Sequence, residues 1–320
     1  LNAQTEVAKH TVGPIKTSRV AVSNDVELVN KRTEFSKTVR HPDGSFSQTT
    51  STSPMHFSEN GLWIPIDTRI NTMDNAPEGF QYGNLKNSMK TYFPEDISNG
   101  LFADFGELQT ISDMNNVTLS FESINGTKLV EIPLTNSLGN LTESSIKYNN
   151  VFPSTDLNVS VQNNKRKADF ILNSAEFLNL IPNGAVNLVF EEDINLPSDY
   201  SYRVNSDNGD IEIMNPKSEV FSRYNSPIVF DSRIGQMQSL VIESNVVSQP
   251  NIWFEIISMT NNSFRLRTVV SVNWVSDAER VFPITVDPDL SASTGQVTWP
   301  SGGGSNTITT SGAMAGSSIT

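Results

Sequence analysis

The stretch from Tyr148 to Leu172 constrains the fold most. Leu157, Val159 and Val161 alternate with Asn158, Ser160 and Gln162, which is the two-residue period of a strand with one buried and one wet face. Asn163-Asn164 then supplies a turn, because Asn tolerates positive φ better than other residues with a side chain. Ala168, Phe170 and Leu172 resume the alternation on the return strand. The pattern predicts a β-hairpin at the centre of the chain.

Turn signals recur along the rest of the sequence at short spacing. Pro42-Asp43-Gly44 separates Glu34–Val39 from Phe46–Thr50, with φ fixed at Pro and left-handed freedom at Gly. Asn60-Gly61 separates the segment around Phe57 from Leu62–Asp67, and Asn125-Gly126 separates Val117–Glu122 from Lys128–Leu134; Asn-Gly is a strong hairpin signal. Pro54 and Pro65 place their strands at sheet edges or strand ends. Further strands are expected at Ala185–Phe190, Tyr200–Val204, Ile211–Met214, Ser239–Glu243, Ile252–Met259 and Phe264–Val272, the last pair joined by Asn261-Asn262. Residues Asn71 to Gly100, rich in Asn, Gly and Pro, read as a long mobile loop with strands too short to assign, available for contacts. Residues Phe102–Ser112 lack the cap and stripe of a helix.

The expected fold class is therefore all-β, with two β-sandwich-like units in tandem and a flexible Gly/Ser/Thr-rich exit. Residues 1–25 form an irregular leader, 26–145 the first β unit, 146–290 the second, and 291–320 a linker or the start of a following domain. The Ser301-Gly302-Gly303-Gly304-Ser305 run is linker composition. At 320 residues the chain suffices for two cores.

Charge and residue usage exclude several functions. Acidic residues outnumber basic ones 35 to 22, for a formal charge of −13, so nucleic acid and anionic membranes are disfavoured partners. There is no cysteine, which removes disulfides, thiolate metal sites and cysteine nucleophiles together. No apolar run is long enough for a transmembrane helix. Ala3-Gln4 reads either as the end of a secretory signal or as an ordinary terminus.

Spaced blocks carry a family resemblance: Lys31-Arg32-Thr33-Glu34-Phe35-Ser36, Pro42-Asp43-Gly44-Ser45-Phe46 and Pro54-Met55-His56-Phe57 with Gly61-Leu62-Trp63-Ile64-Pro65-Ile66-Asp67 in the first half. In the second half they are Tyr148-Asn149-Asn150-Val151-Phe152-Pro153 with Asp156-Leu157, Asn273-Trp274-Val275, and Arg280-Val281-Phe282-Pro283-Ile284-Thr285-Val286-Asp287-Pro288. Together they resemble the N-terminal β-rich module of Rhs/YD-repeat and WapA-like wall-associated proteins, and of large type IX-secreted surface proteins of gliding bacteria. The resemblance implies a structural or interaction module of a secreted, cell-surface protein, adhesive or motility-related, and not an enzyme. Its partners would be neighbouring domains of the same long chain, with other surface proteins, secretion proteins or glycans as further candidates. No YD repeats or sorting domain follow in this sequence, and the chain is expected to continue beyond Thr320.

No catalytic, cofactor-binding or metal-binding residues are assigned, and no cofactor is expected. His10, His41 and His56 fall in no metal spacing and read as turn or edge-strand residues. Glu191 and Asp193 share a strand face while Glu192 points away, and the three read as an exposed acidic strand end. Asp207-Asn208-Gly209-Asp210 and Asp287-Pro288-Asp289 are the oxygen-rich turns best suited to calcium, with a plain turn favoured. Lys165-Arg166-Lys167 reads as a solubilising cluster beside a hairpin turn. Trp63, Trp253 and Trp274 lie in apolar strands and read as core, leaving Trp299 exposed; an aromatic platform would instead make the chain a carbohydrate-binding accessory module.

Overall fold

The structure, a computed structural model, describes residues 24–106, 109–233 and 251–293. The expected Ser239–Glu243 strand, His10, Trp299 and the Gly-rich exit lie outside the described residues. What is described is all-β, as expected, and is dominated by two large antiparallel sheets.

The central hairpin folds as its alternation requires. β13 (Ser145–Phe152), β14 (Thr155–Gln162) and β15 (Lys165–Leu172) form a meander. Asn164 sits at φ 54 in the β14–β15 turn, the left-handed value for which Asn is suited. The meander belongs to sheet II, whose order is β12 (Gly139–Leu141), β13, β14, β15, β22 (Ile284–Ala292), β19 (Val220–Asp231), β18 (Ile211–Met214), β17 (Ser201–Val204). β19 escapes the alternation rule because Ser226-Pro227 falls in a register shift between Asn225 and Ile228.

Sheet I runs β20 (Ile252–Thr260), β21 (Ser263–Ser271), β16 (Asn187–Asn195), β10 (Thr110–Glu122), β9 (Leu101–Asp104), β8 (Lys90–Phe93), β7 (Tyr82–Asn84), β6 (Asn71–Thr72). A further strand, β11 (Lys128–Pro133), also pairs with β10 through the expected Asn125-Gly126 hairpin. Residues 71–100, expected to be a long loop with strands too short to assign, contribute the short strands β6, β7 and β8 and a 3-10 turn at Ile97–Asn99. Their strands are two to four residues long, too short to leave a period in the sequence.

The boundary expected between residues 145 and 146 is crossed by strand pairing. β10 lies before it and β16 after it, and they pair from Ser112↔Asn195 to Glu122↔Asn187. One core likewise mixes Phe93, Leu119 and Phe121 with Val159, Phe170, Phe190 and Val286. Phe170 of sheet II and Phe190 of sheet I stack with ring centroids 4.2 Å apart. Each buried ring or branched side chain contributes roughly 1.5–3 kcal/mol, so this shared layer fastens the two sheets to each other. Two small ribbons precede the sheets: β1 (Val26–Glu27), β2 (Ser36–Arg40) and β3 (Phe46–Thr50), then β4 (His56–Glu59) with β5 (Leu62–Pro65). A single helical turn, α1 (Val272–Val275), follows β21.

Candidate functional site

β10 is irregular where it matters. Its register with β16 slips once between Ser112 and Asn115 and again between Asn115 and Thr118, and Met114 and Asn116 sit at φ 53 and 48. Two one-residue bulges cancel in phase, so Ile111 and Asp113 face the interior together with Val117, Leu119 and Phe121. Asp113 is therefore driven into the space between the sheets.

Three more polar groups meet it there. On β15 the alternation that buries Ala168 and Phe170 also buries Arg166, which is 2% exposed. Its Nη2 donates to Asp113 Oδ2, and Tyr224 Oη donates to the same oxygen at 2.8 Å. Glu192 of β16 accepts from the Met114 amide at 2.7 Å. Burial pushes the Asp113 carboxyl above the usual range despite Arg166 and Tyr224. Glu192 is pushed up to about 8, first by burial and then by the charge of Asp113. The junction thus holds one cation against two acids, one of them readily neutral. The cavity among these side chains, bounded also by Pro288 and Leu290, measures about 10 Å³, enough for about one water and too small for a substrate.

This corrects two expectations. Lys165-Arg166-Lys167 is not one solvated cluster, because the strand period sends only Lys165 and Lys167 outward while Arg166 crosses the core. Glu191-Glu192-Asp193 is not an exposed strand end, since all three residues are buried. Glu191 and Asp193 do share a face, the outer one, where cations cover them. Arg267 Nε is 3.0 Å from Glu191, Lys128 Nζ is 2.8 Å from it, and Arg265 Nε is 2.7 Å from Asp193. Arg267 also reaches Glu122 at 2.5 Å and Glu255, so one ion-pair ladder runs across β20, β21, β16, β10 and β11.

The remaining candidates occupy separate places. His41 Nδ1 lies 2.9 Å from Asp25, whereas His56 is buried with Nδ1 2.7 Å from the Thr33 carbonyl oxygen, and burial lowers its pKa. Asp207–Asp210 is a self-satisfied turn: Asn208 Nδ2 donates to Asp210 at 2.8 Å, and Asp210 also accepts from the Ser226 amide at 2.8 Å. Asp287 and Asp289 face Lys167 and Lys165 at 2.5 and 2.6 Å. Among the described residues no group of three or more His, Cys, Asp or Glu has metal-holding geometry. Trp63, Trp253 and Trp274, the tryptophans among the described residues, form no common face. Trp63 is half-buried in the β4–β5 ribbon; Trp274 lies in α1, not a strand, beneath Arg280 at 4.2 Å; and Trp253, expected in the core, is 36% exposed on the edge strand β20. A polar groove of about 570 Å³ runs along Asp67, Arg69, Asn71, Met73, Asp74 and Lys86.

No family model matches the chain. It is 25% identical over 276 residues to the tRNA nuclease WapA of Bacillus subtilis (strain 168), 24% over 276 residues to the tRNA3(Ser)-specific nuclease WapA of Bacillus spizizenii, and 25% over 278 residues to the tRNA(Glu)-specific nuclease WapA of Bacillus subtilis subsp. natto. Each match covers 85% of this chain and 11% of the relative, so the chain spans about a ninth of the length of the curated relatives it matches. The WapA part of the resemblance is supported; none of these three relatives is named as a type IX surface protein. The expectation that the chain is not an enzyme is corrected by these names, because all three relatives are nucleases.

Proposed function

We propose that this chain is a β-sandwich carrier module of a WapA-like, secreted, cell-surface tRNA nuclease. The observation that carries the reading is the pair of coverages: 85% of the chain aligns, yet it accounts for only 11% of each nuclease. A module with that share supports a longer protein, and its physical traits suit support. The sheets share a core, a buried ion pair joins them, and an ion-pair ladder stiffens the outer face of sheet I. The formal charge of −13 repels a polyanion, so tRNA is engaged by other parts of the protein. Its partners are the neighbouring domains of that chain. Among the described residues no helix is long and apolar enough to cross a membrane, which accords with an extracellular position.

The test expresses the whole reading frame and a version lacking residues 24–293 in the native host. The full protein is expected in the wall fraction and to cleave tRNA after purification; the deletion retains tRNA cleavage and loses wall association. Absence of tRNA cleavage by the full protein, or normal wall display of the deletion, refutes the reading.

A further inference from the structure

The outer face of sheet II carries an arrangement that the carrier role does not use. β15 and β22 are antiparallel, and the register that pairs Lys167 with Asp289 and Phe170 with Val286 sets Asp169 opposite Asp287. Lys167 is the diagonal neighbour of Asp287 on the same face. Its Nζ lies 2.5 Å from Asp287 Oδ2 and 3.7 Å from Asp169 Oδ1, so one amine faces both carboxyls.

All three side chains are shielded from water, at 20% exposure for Lys167, 14% for Asp169 and 3% for Asp287. Asp169 Oδ1 and Asp287 Oδ1 are buried with no hydrogen-bond donor. A carboxyl beside a like charge holds its proton more tightly. Burial first, and Asp287 second, push Asp169 up to about 7. Lys165 and Asp289 next door differ: Lys165 is 32% exposed, and Asp289 accepts from Asn225 besides Lys165. Only the Lys167 pair, among these two, combines an amine, a buried carboxyl and a second acid able to hold a proton.

We propose that Lys167 and Asp287 are joined by a self-catalysed intramolecular amide bond, with Asp169 as the catalytic acid–base. The step starts from the ion pair. A proton passes from the ammonium to the Asp287 carboxylate, leaving a neutral amine beside a neutral acid. The Nζ lone pair attacks Cγ of Asp287, forming the N–C bond. Asp169 donates its proton to the departing hydroxyl and accepts one from the nitrogen, the C–O bond breaks, and one water leaves. Asp169 ends as it began, and no oxidant, reductant or cofactor is consumed. Holding the two groups in contact replaces a bimolecular encounter, and exclusion of water from the site opposes hydrolysis. The bond would tie β15 to β22, adjacent strands in the middle of sheet II, in a chain with no cysteine for a disulfide.

Mass spectrometry of the full chain tests this directly. The intact protein is expected to be lighter than its sequence by one water, and a tryptic digest to contain a branched peptide joining residues 167–203 to the peptide that begins at Val281. Asp287→Ala and Lys167→Arg should restore the sequence mass and abolish the branched peptide. Asp169→Ala keeps both bonding side chains, so it should fold by circular dichroism yet lack the bond. A folded wild-type protein at its sequence mass overturns the proposal. So does a water loss that persists in Asp287→Ala, or a folded Asp169→Ala that still carries the branched peptide.

Discussion

Arg166→Met removes the cation that neutralises Asp113 between the sheets. Asp113 is 1% exposed and Arg166 2%, so the remaining carboxylate has no solvent to turn to and keeps only the Tyr224 hydroxyl at 2.8 Å. Two routes bound the penalty. Leaving the charge buried and unpaired costs about 3–5 kcal/mol. Protonating it instead, from an ordinary value of 3.8, costs about 1.4 kcal/mol per pH unit, or roughly 4 kcal/mol at pH 7. The folded protein takes the cheaper route, so the expected loss is about 3–4 kcal/mol, equivalent to roughly 10 °C in Tm for a chain of this size. Urea unfolding followed by tryptophan fluorescence measures it. The double variant Asp113→Leu/Arg166→Met removes both charges and should recover most of the loss, because hydrophobic replacement of a buried pair is often neutral. A single-variant loss under about 1 kcal/mol, or a double variant as weak as the single, refutes the reasoning that this pair is the electrostatic link between the sheets.

Three further outcomes are expected. Glu192 binds its proton more tightly folded than unfolded, about 8 against 4.5, so its contribution is complete below pH 4.5 and fades as pH rises through 8; Glu192→Gln should flatten that decline, whose slope is at most about 1.4 kcal/mol per pH unit, in unfolding curves taken from pH 5 to 9. Phe170→Ala opens a cavity against Phe190 and Phe152 and should cost about 3–5 kcal/mol, read from denaturant midpoints. Gly100 sits at φ +71, and an added Cβ would come within 2.8 Å of the Asp113 carbonyl oxygen; Gly100→Ala should therefore lose about 1–3 kcal/mol by thermal unfolding, where an unchanged Tm would show that the entry to β9 relaxes freely.

The parts of the fold legible in the sequence are those where local chemistry suffices. Asn60-Gly61, Asn125-Gly126 and Asn163-Asn164 each turn a hairpin, with positive φ at Asn60, Gly61, Gly126 and Asn164. The period in β14 and β15 correctly assigned Leu157, Val159, Phe170 and Leu172 to the interior. The same period, followed strictly, also places Arg166 inside; its positive charge and its lysine neighbours argued for the surface. Asp113 lacked any comparable signal, because its inward placement depends on two bulges in β10 that only pairing with β16 reveals.

The sequence by itself determined the all-β class, the hairpin turns and the inward apolar faces of β14 and β15, because turn dihedrals and side-chain alternation are properties of adjacent residues. Tertiary structure alone decided which strands became neighbours. It placed β16 beside β10 across 65 residues of chain from Glu122 to Asn187, covered Glu191 and Asp193 with arginines from β21, and brought Asp113 to Arg166 and Lys167 to Asp287. Such pairings depend on long-range closure of the two sheets around one core, and no local pattern specifies which distant partner completes a buried charge.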